Sequence, residues 1–85
     1  MIVGYADEAT RDVHTGVESR VARRKLDLVG AAGDIRDLAV PPGNRLEKLK
    51  ARLAGFYSIR VNDQFRIIFR FQAGQASQVQ IIDYH

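Results

Sequence analysis

The sequence has 85 residues, of which 46% are hydrophobic, and it carries a formal net charge of +3. This length predicts a single domain over residues 1–85, near the lower limit at which a hydrophobic core alone supports a fold. The absence of cysteine excludes disulfides, thiolate catalysis and zinc sites that need sulfur. No apolar run is long enough to cross a bilayer, and Asp7 interrupts the N-terminus too early for a secretory leader, so we expect a cytoplasmic protein with no membrane partner.

The positive charge lies in the second half of the chain. Residues 1–43 hold six Lys and Arg against seven Asp and Glu, whereas residues 44–85 hold seven against three. Such an asymmetry indicates a polyanionic partner, most often nucleic acid. Small domains also commonly carry a few extra cations, so charge alone leaves both interpretations open.

The N-terminal half has the pattern of a short strand followed by helices. Residues 1–6 are apolar and predict a first strand, after which Asp7 is placed to cap a brief helix. A longer helix is expected to end near Ala32, and Asp34 can cap one further turn. Apolar residues recur in the longer helix with a period of 3.6 and predict its buried face: Val17, Val21, Ala22, Leu26, Leu28, Val29 and Ala32.

The pattern changes from helical to extended after the segment VPPGN, residues 40–44, whose prolines and glycine cannot continue a helix. Residues 55–62, 64–71 and 78–85 alternate between apolar and polar side chains and are separated by turn signals. Three such runs in succession predict an antiparallel meander. Helices followed by strands indicate an α+β fold, with the helices packed on one face of the sheet.

Several cations fall on or beside this predicted meander. Arg60 and Arg66 lie on adjacent strands, so they are expected to be neighbours on one face if the register allows it. With Arg70 they form either an ordinary solvated face or an anion-binding surface. Lys48 and Lys50, which enter the sheet region just after the proline turn, favour the second interpretation.

The end of the last predicted strand adds an acid, a phenol and an imidazole to these cations, and the combination suits RNA cleavage. The 2′-hydroxyl must lose a proton, the phosphorane must be stabilised, and the leaving 5′-oxygen must gain a proton. Lys and Arg can supply the positive charge, so we expect no metal and no other cofactor. His14 and His85 are the only imidazoles and lack a carboxylate cluster, and Ser58 lies in no nucleophile motif.

The segment LAVPPGNRLEKLKARLAGFYSIRVNDQFRIIFRF, with the closing IIDYH, resembles the HigB-type plasmid maintenance killer proteins of the RelE toxin superfamily. The resemblance covers roughly residues 20–85. It implies a bacterial type II toxin, a ribosome-dependent mRNA endonuclease that inhibits translation. It also implies a RelE-like fold, with two N-terminal helices on a small, mostly antiparallel sheet. The expected partner is a helix-turn-helix antitoxin of the HigA type. The toxin would associate with operator DNA only through this antitoxin.

The same resemblance implies the site residues. The catalytic positions of the family correspond to Lys50, Arg66, Asp83, Tyr84 and His85. Lys50 and Arg66 would grip the scissile phosphate, and His85 would transfer the proton. Tyr84 would position or stack a base, and Asp83 would orient the imidazole.

Other positions add RNA contacts or depart from the pattern of the family. Lys48, Arg60 and Arg70 are expected to bind RNA. Glu47 stands where some relatives have a histidine, so it is either a candidate general base or a solvated carboxylate. This chain has Lys50-Ala51-Arg52 where the sequence Lys-Gly-Asp is commoner in the family. The turn at Ala51 and Arg52 is therefore expected to differ.

Two rival functions stay open at this point. A non-catalytic module that binds RNA or the ribosome would use the same cations, and a decayed toxin would survive only as an antitoxin partner. The His85→Ala variant separates the enzyme from the binding module, because it affects activity only if the chain is catalytic. Expression without growth arrest would indicate the decayed toxin.

Overall fold

The computed structural model describes residues 1–10 and 20–83, in which one long helix packs on one face of a four-stranded sheet. Neighbouring strands are all antiparallel, in the order β1-β2-β3-β4. Residues 8–10 are helical as well, so the predicted α+β class and meander are confirmed. The bounds are α1 Arg20–Ala31, β1 Glu47–Lys48, β2 Phe56–Arg60, β3 Phe65–Gln72 and β4 Gln75–Asp83, with 3-10 helices at Ile35–Ala39, Pro42–Asn44 and Ala51–Leu53.

Helix α1 buries the face that its 3.6-residue period predicts. Ala22, Leu26 and Val29 are buried against the sheet, and Ala32 joins them just beyond the helix end. The exception is Val21, which is 48% exposed because it lies roughly 100° around the helix from its neighbour Ala22. Val17, also predicted for this face, lies outside the described residues. No helix in the described part of the chain is both long and apolar enough to span a bilayer.

The two faces of the sheet differ as the alternation predicts. The face toward α1 is apolar, and its central side chains Ile59, Ile67 and Phe69 are fully buried. The opposite face carries Ser58, Arg60, Arg66, Ile68 and Arg70, and we call it the arginine face. One run of the chain thus builds both the core and a cationic surface, because successive strand residues point to opposite sides.

The N-terminal segment runs parallel to β4 instead of forming a full strand. Ile2 and Tyr5 form isolated bridges with Ala76 and Val79, so the expected first strand is present only as this short pairing. Asp7 caps the helical turn that follows, since its Oδ1 accepts a hydrogen bond of 2.7 Å from the backbone N–H of residue 10. That hydrogen bond is also the main reason why the pKa of Asp7 is lowered.

The β3–β4 hairpin contains a two-residue turn in which Ala73 and Gly74 have φ values of 53° and 76°. Two positive φ angles define a type I′ turn, which prefers Asn-Gly. Alanine is sterically disfavoured in the left-handed region, and asparagine is less so. Ala73→Asn is therefore expected to raise the free energy of unfolding by about 0.5–1 kcal/mol. Urea denaturation measures the change.

The matched control for this variant is Ala54→Asn, at an exposed position whose φ is −56°. It adds the same carboxamide group at a residue that is not left-handed, so it should not stabilise the fold. Equal effects of the two variants would contradict the turn assignment.

Candidate active site

Arg60 and Arg66 lie directly opposite each other on β2 and β3, as expected from the short turn between the strands. Like charges in this arrangement destabilise a sheet unless acids compensate them. Each arginine has its own carboxylate: Arg60 donates to Asp63 in the β2–β3 turn, and Arg66 Nη1 donates to Glu47 Oε1 over 3.3 Å. The two cations can therefore share one face of the sheet.

Arg66 is the most enclosed of these cations, with a side chain that is 7% exposed. Besides the contact with Glu47, its Nη2 donates to the backbone carbonyl of Arg45 over 2.7 Å. Arg45 itself adopts the left-handed conformation, with φ 47° and ψ 55°. A buried charge needs such partners, and two of them in fixed positions orient the guanidinium.

The loop that supplies the Arg45 carbonyl is anchored by Asn44, which is fully buried. Its Nδ2 donates to the carbonyls of Leu38 and Val40 over 3.1 and 3.3 Å, and its Oδ1 accepts from Lys25 Nζ of α1. Burial is the main cause of a lowered pKa at Lys25, and the nearby charges of Arg60 and Arg24 add to it. Asn44 thus connects the helix to the loop beside Arg66.

Neither Asn44 nor Arg45 stands out as a site residue in the sequence. The available signal is the position of Asn44 directly after Pro-Pro-Gly, since asparagine side chains commonly hydrogen bond to nearby backbone in turns. That signal indicates a structured turn, but it does not indicate which side chain the turn supports.

Glu47 is half-exposed and ion-paired, an arrangement that neither sequence interpretation included. It lies on β1 opposite Ser58, whose hydroxyl is buried and has no hydrogen-bond partner among the described residues. The Glu47 carboxylate is therefore both a counter-ion for Arg66 and a group within reach of solvent.

Arg70 occupies the other end of the arginine face, four residues along β3 from Arg66. Its Cζ lies over the ring of Phe56, 4.6 Å from the centroid. The guanidinium also passes close to Gly55, where a Cβ would lie 2.8 Å from Nη1. Arg70 thus packs on an aromatic ring in the space left by a glycine, whereas Arg66 donates hydrogen bonds to a carboxylate and a carbonyl.

Two predicted site residues lie on the other side of the sheet. Lys48 is opposite Tyr57 in the register and shares the α1 face with it. Asp83 is opposite Phe65 on the same side, and its Oδ2 accepts from Gln64 Nε2 over 3.3 Å. The described structure therefore does not bring these two side chains to Arg66.

The remaining predicted residues flank this arrangement or fall outside it. Lys50 is exposed on the loop after β1, where it precedes the 3-10 helix Ala51–Leu53. Ala51 has φ 57°, a left-handed conformation that favours glycine. Tyr84 and His85 lie outside the described residues. Within residues 1–10 and 20–83, no three His, Cys, Asp or Glu side chains cluster in a way that could hold a metal ion.

Comparisons with known proteins agree with this fold and with the motifs. A family described as RelE-like toxin of type II toxin-antitoxin system HigB matches residues 4–85. Toxin HigB-1 of Vibrio cholerae is 43% identical over 70 residues, covering 82% of this chain and 73% of that protein. An uncharacterised protein of Haemophilus influenzae is 37% identical over 73 residues, covering 82% and 72%.

Solved structures share the fold at low sequence identity. YafQ from Escherichia coli superposes with a TM-score of 0.70 at 9% identity, covering 99% of this chain and 92% of that one. YoeB in its heterotetrameric complex with YefM, from Staphylococcus aureus, gives 0.68 at 22% identity, covering 100% and 95%. With its own sequence matched from residue 4 to residue 85, this chain belongs to the HigB-like family of RelE-like toxins from type II toxin–antitoxin systems.

Proposed function

We propose that this chain is an endoribonuclease that cleaves mRNA on the ribosome and so inhibits translation in the cytoplasm. The observation that carries the proposal is the Arg66 guanidinium, which is buried, held in one orientation and placed opposite Arg60 on the arginine face. A fixed cation of this kind can stabilise charge that develops on a phosphate without reorganising during the reaction. Membership of the toxin family supports the same assignment.

The proposed reaction uses the RNA as its own nucleophile. The 2′-oxygen attacks the adjacent phosphorus, and its proton passes to a general base. The bond from phosphorus to the 5′-oxygen then breaks, and that oxygen takes a proton from a general acid. The products are a 2′,3′-cyclic phosphate and a free 5′-hydroxyl.

The residue roles in this reaction are proposals carried by the family pattern and by the cationic face. Arg66 and Lys50 stabilise the phosphorane, and His85 transfers a proton at the 2′- or 5′-oxygen. Tyr84 positions a base, and Asp83 orients the imidazole. Positive charge on Lys and Arg supplies the stabilisation for which other nucleases use a metal ion.

The proposed partner is a helix-turn-helix antitoxin that holds the toxin inactive and represses the operon. The fold similarity to YoeB, which was solved in complex with YefM, supports an antitoxin partner in general. Operator DNA would be contacted by the antitoxin and not by this chain.

The test is primer extension on cellular mRNA after induction of the chain, comparing the wild type with His85→Ala. Wild-type induction should produce growth arrest and new 5′ ends within coding regions, and the variant should lose about 10²- to 10⁴-fold in cleavage. Arg36→Ala is the control, because Arg36 is exposed and pairs with Asp34 away from the arginine face. Absence of cleavage by the wild type, or equal cleavage by His85→Ala, would overturn the proposal.

A non-catalytic module that binds RNA or the ribosome is the second candidate. The observation in its favour is that Asp83 and Lys48 lie on the α1 face, away from Arg66. For such a module, arrest would persist in His85→Ala and no new RNA ends would appear. A decayed toxin would instead give neither arrest nor cleavage when expressed.

The role of Glu47 separates two versions of the mechanism. Because it is ion-paired with Arg66, we expect it to orient the guanidinium and, as a counter-ion, to weaken the attraction between Arg66 and RNA phosphate. Glu47→Gln should then lower the KM for RNA and keep the cleavage rate within about tenfold of the wild type. A general base would instead lose about 10²- to 10⁴-fold in kcat. Cleavage rates measured over a range of RNA concentrations distinguish these outcomes.

A further inference from the structure

The Arg70 end of the arginine face is built differently from the Arg66 end. Arg70 is opposite Phe56 in the register, and its guanidinium lies over the Phe56 ring with Cζ 4.6 Å from the centroid. The Arg70 side chain is exposed and forms no ion pair with any residue in the described part of the chain. An aromatic ring, and not a carboxylate, therefore holds this cation.

Gly55 provides the space that this arrangement needs. Its φ is 91°, and a Cβ at this position would lie 2.8 Å from Arg70 Nη1, closer than real Cβ contacts. A Cβ here would require the flexible end of Arg70 to shift, and any residue other than glycine would also be strained at this φ. The sequence thus combines a glycine, an aromatic residue and an arginine, and together they hold one planar cation at the surface.

We infer that Phe56 and Arg70 form a nucleobase-stacking subsite for single-stranded RNA. A guanidinium packed on a ring can stack a second planar group on its outer side, and exposed bases in RNA are bound in this way by arginine and aromatic side chains. The inference rests on the proposed function for the nature of the substrate, and it adds a specific position on the surface where one base is held.

The spacing on β3 separates the subsite from the phosphate that contacts Arg66. Arg66 and Arg70 point to the same side of the strand and are four residues apart, which corresponds to about 13 Å. This distance is several times the ~3.4 Å rise of a stacked nucleotide. The base on Arg70 therefore belongs to a different nucleotide from the one whose phosphate contacts Arg66.

A base explains this geometry better than a phosphate does. Arginine can also bind a phosphate with its planar fork, but that contact would need neither the Phe56 ring nor the missing Cβ of Gly55. Stacking needs the plane of the guanidinium in a fixed orientation, which these two neighbours provide. Phosphate binding by Arg70 is therefore the alternative that the experiment must exclude.

The test is a thermodynamic cycle that combines one protein substitution with the removal of one RNA base. In it the full chain binds a fluorescent oligoribonucleotide whose 2′-hydroxyls are methylated to prevent cleavage. A series of oligonucleotides lacks one base at successive positions while keeping every phosphate. At one position, loss of the base should weaken wild-type binding roughly 5- to 150-fold, the range for one stacked base. With Arg70→Ala, loss of the same base should have little further effect.

Three variants make the result specific. Arg70→Lys keeps the charge but not the plane, so it should behave like Arg70→Ala. Phe56→Leu keeps an apolar side chain but removes the ring, and it should weaken the same coupling. Arg52→Ala, which removes an exposed cation beyond β1, is the control and should weaken binding equally for intact and abasic RNA. Circular dichroism and thermal unfolding verify that each variant folds.

The possible outcomes separate this subsite from the proposed function. If no position couples to Arg70, or if Arg70→Lys binds like the wild type, Arg70 is a phosphate contact and the stacking subsite is wrong. If the wild type does not bind the RNA at all, the subsite is also wrong. Cleavage of cellular mRNA, measured by primer extension as above, decides the proposed endonuclease function independently in each case.

Discussion

Arg66→Ala is expected to lower the rate of RNA cleavage roughly 100- to 1,000-fold, the range for loss of one fixed group that stabilises transition-state charge. The guanidinium is oriented by the Arg45 carbonyl and by Glu47, so no other side chain can take its place without rearrangement. Arg66→Lys should recover little activity, because an ammonium group cannot make both contacts in the geometry of the planar fork. Single-turnover cleavage of an oligoribonucleotide or of mRNA on ribosomes measures the effect.

Arg60→Ala is the matched control for this variant, because Arg60 is directly opposite on β2 and carries the same charge. Its side chain is 35% exposed and pairs with Asp63, so its orientation is set less firmly. We expect a loss of tenfold or less, mainly in KM. Equal losses in kcat for the two variants would mean that summed charge, and not the fixed Arg66 guanidinium, supports cleavage.

Asn44→Ala is expected to lower the free energy of unfolding by about 2–4 kcal/mol, since it leaves two carbonyls and an ammonium group without their partner. For a domain of this size, each kcal/mol corresponds to a shift of about 4–8 °C in Tm. Thermal unfolding followed by circular dichroism measures this loss. Cleavage should also fall at temperatures where the variant is folded, because the Arg45 carbonyl loses its anchor.

Asn62→Ala provides the comparison, because Asn62 also bonds to the backbone but lies in an exposed turn. Its Oδ1 accepts from the N–H groups of Gln64 and Phe65, both over 2.8 Å. Water can replace these bonds, so we expect a cost of about 1 kcal/mol or less. If the two variants were equally destabilised, burial of Asn44 would not be the source of its effect.

The fold could be predicted from the sequence wherever a long periodic pattern was present. The face of α1 and the alternation in β2 and β3 follow from side-chain spacing alone, and the short turn brings Arg60 opposite Arg66. The start of β4 was predicted three residues late, at residue 78, because Gln78 lies in a bulge with φ 51° that interrupts the alternation. The strand begins at Gln75.

The site was harder to predict because its contacts join short segments without a pattern. Strand β1 has two residues, both exposed, so nothing in the sequence indicates that Glu47 reaches Arg66, 19 residues away. The left-handed Arg45 has no residue-type signal, since arginine is not typical of that conformation. Strand alternation places Arg66 on the cationic face, and the family resemblance predicts a catalytic role for it, but neither could supply the partners that orient it.

The parallel pairing of residues 1–6 with β4 has a consequence for how the molecule forms. Hydrogen bonds join Val3 to Ala76 and Gly4 to Val79, so this segment pairs with a strand that lies far away in the sequence. Contacts between residues so far apart in sequence form late, because closing the long loop between them costs conformational entropy. The N-terminal segment is therefore fixed in place only once β4 has formed, and its pairing is among the last contacts of the fold to close.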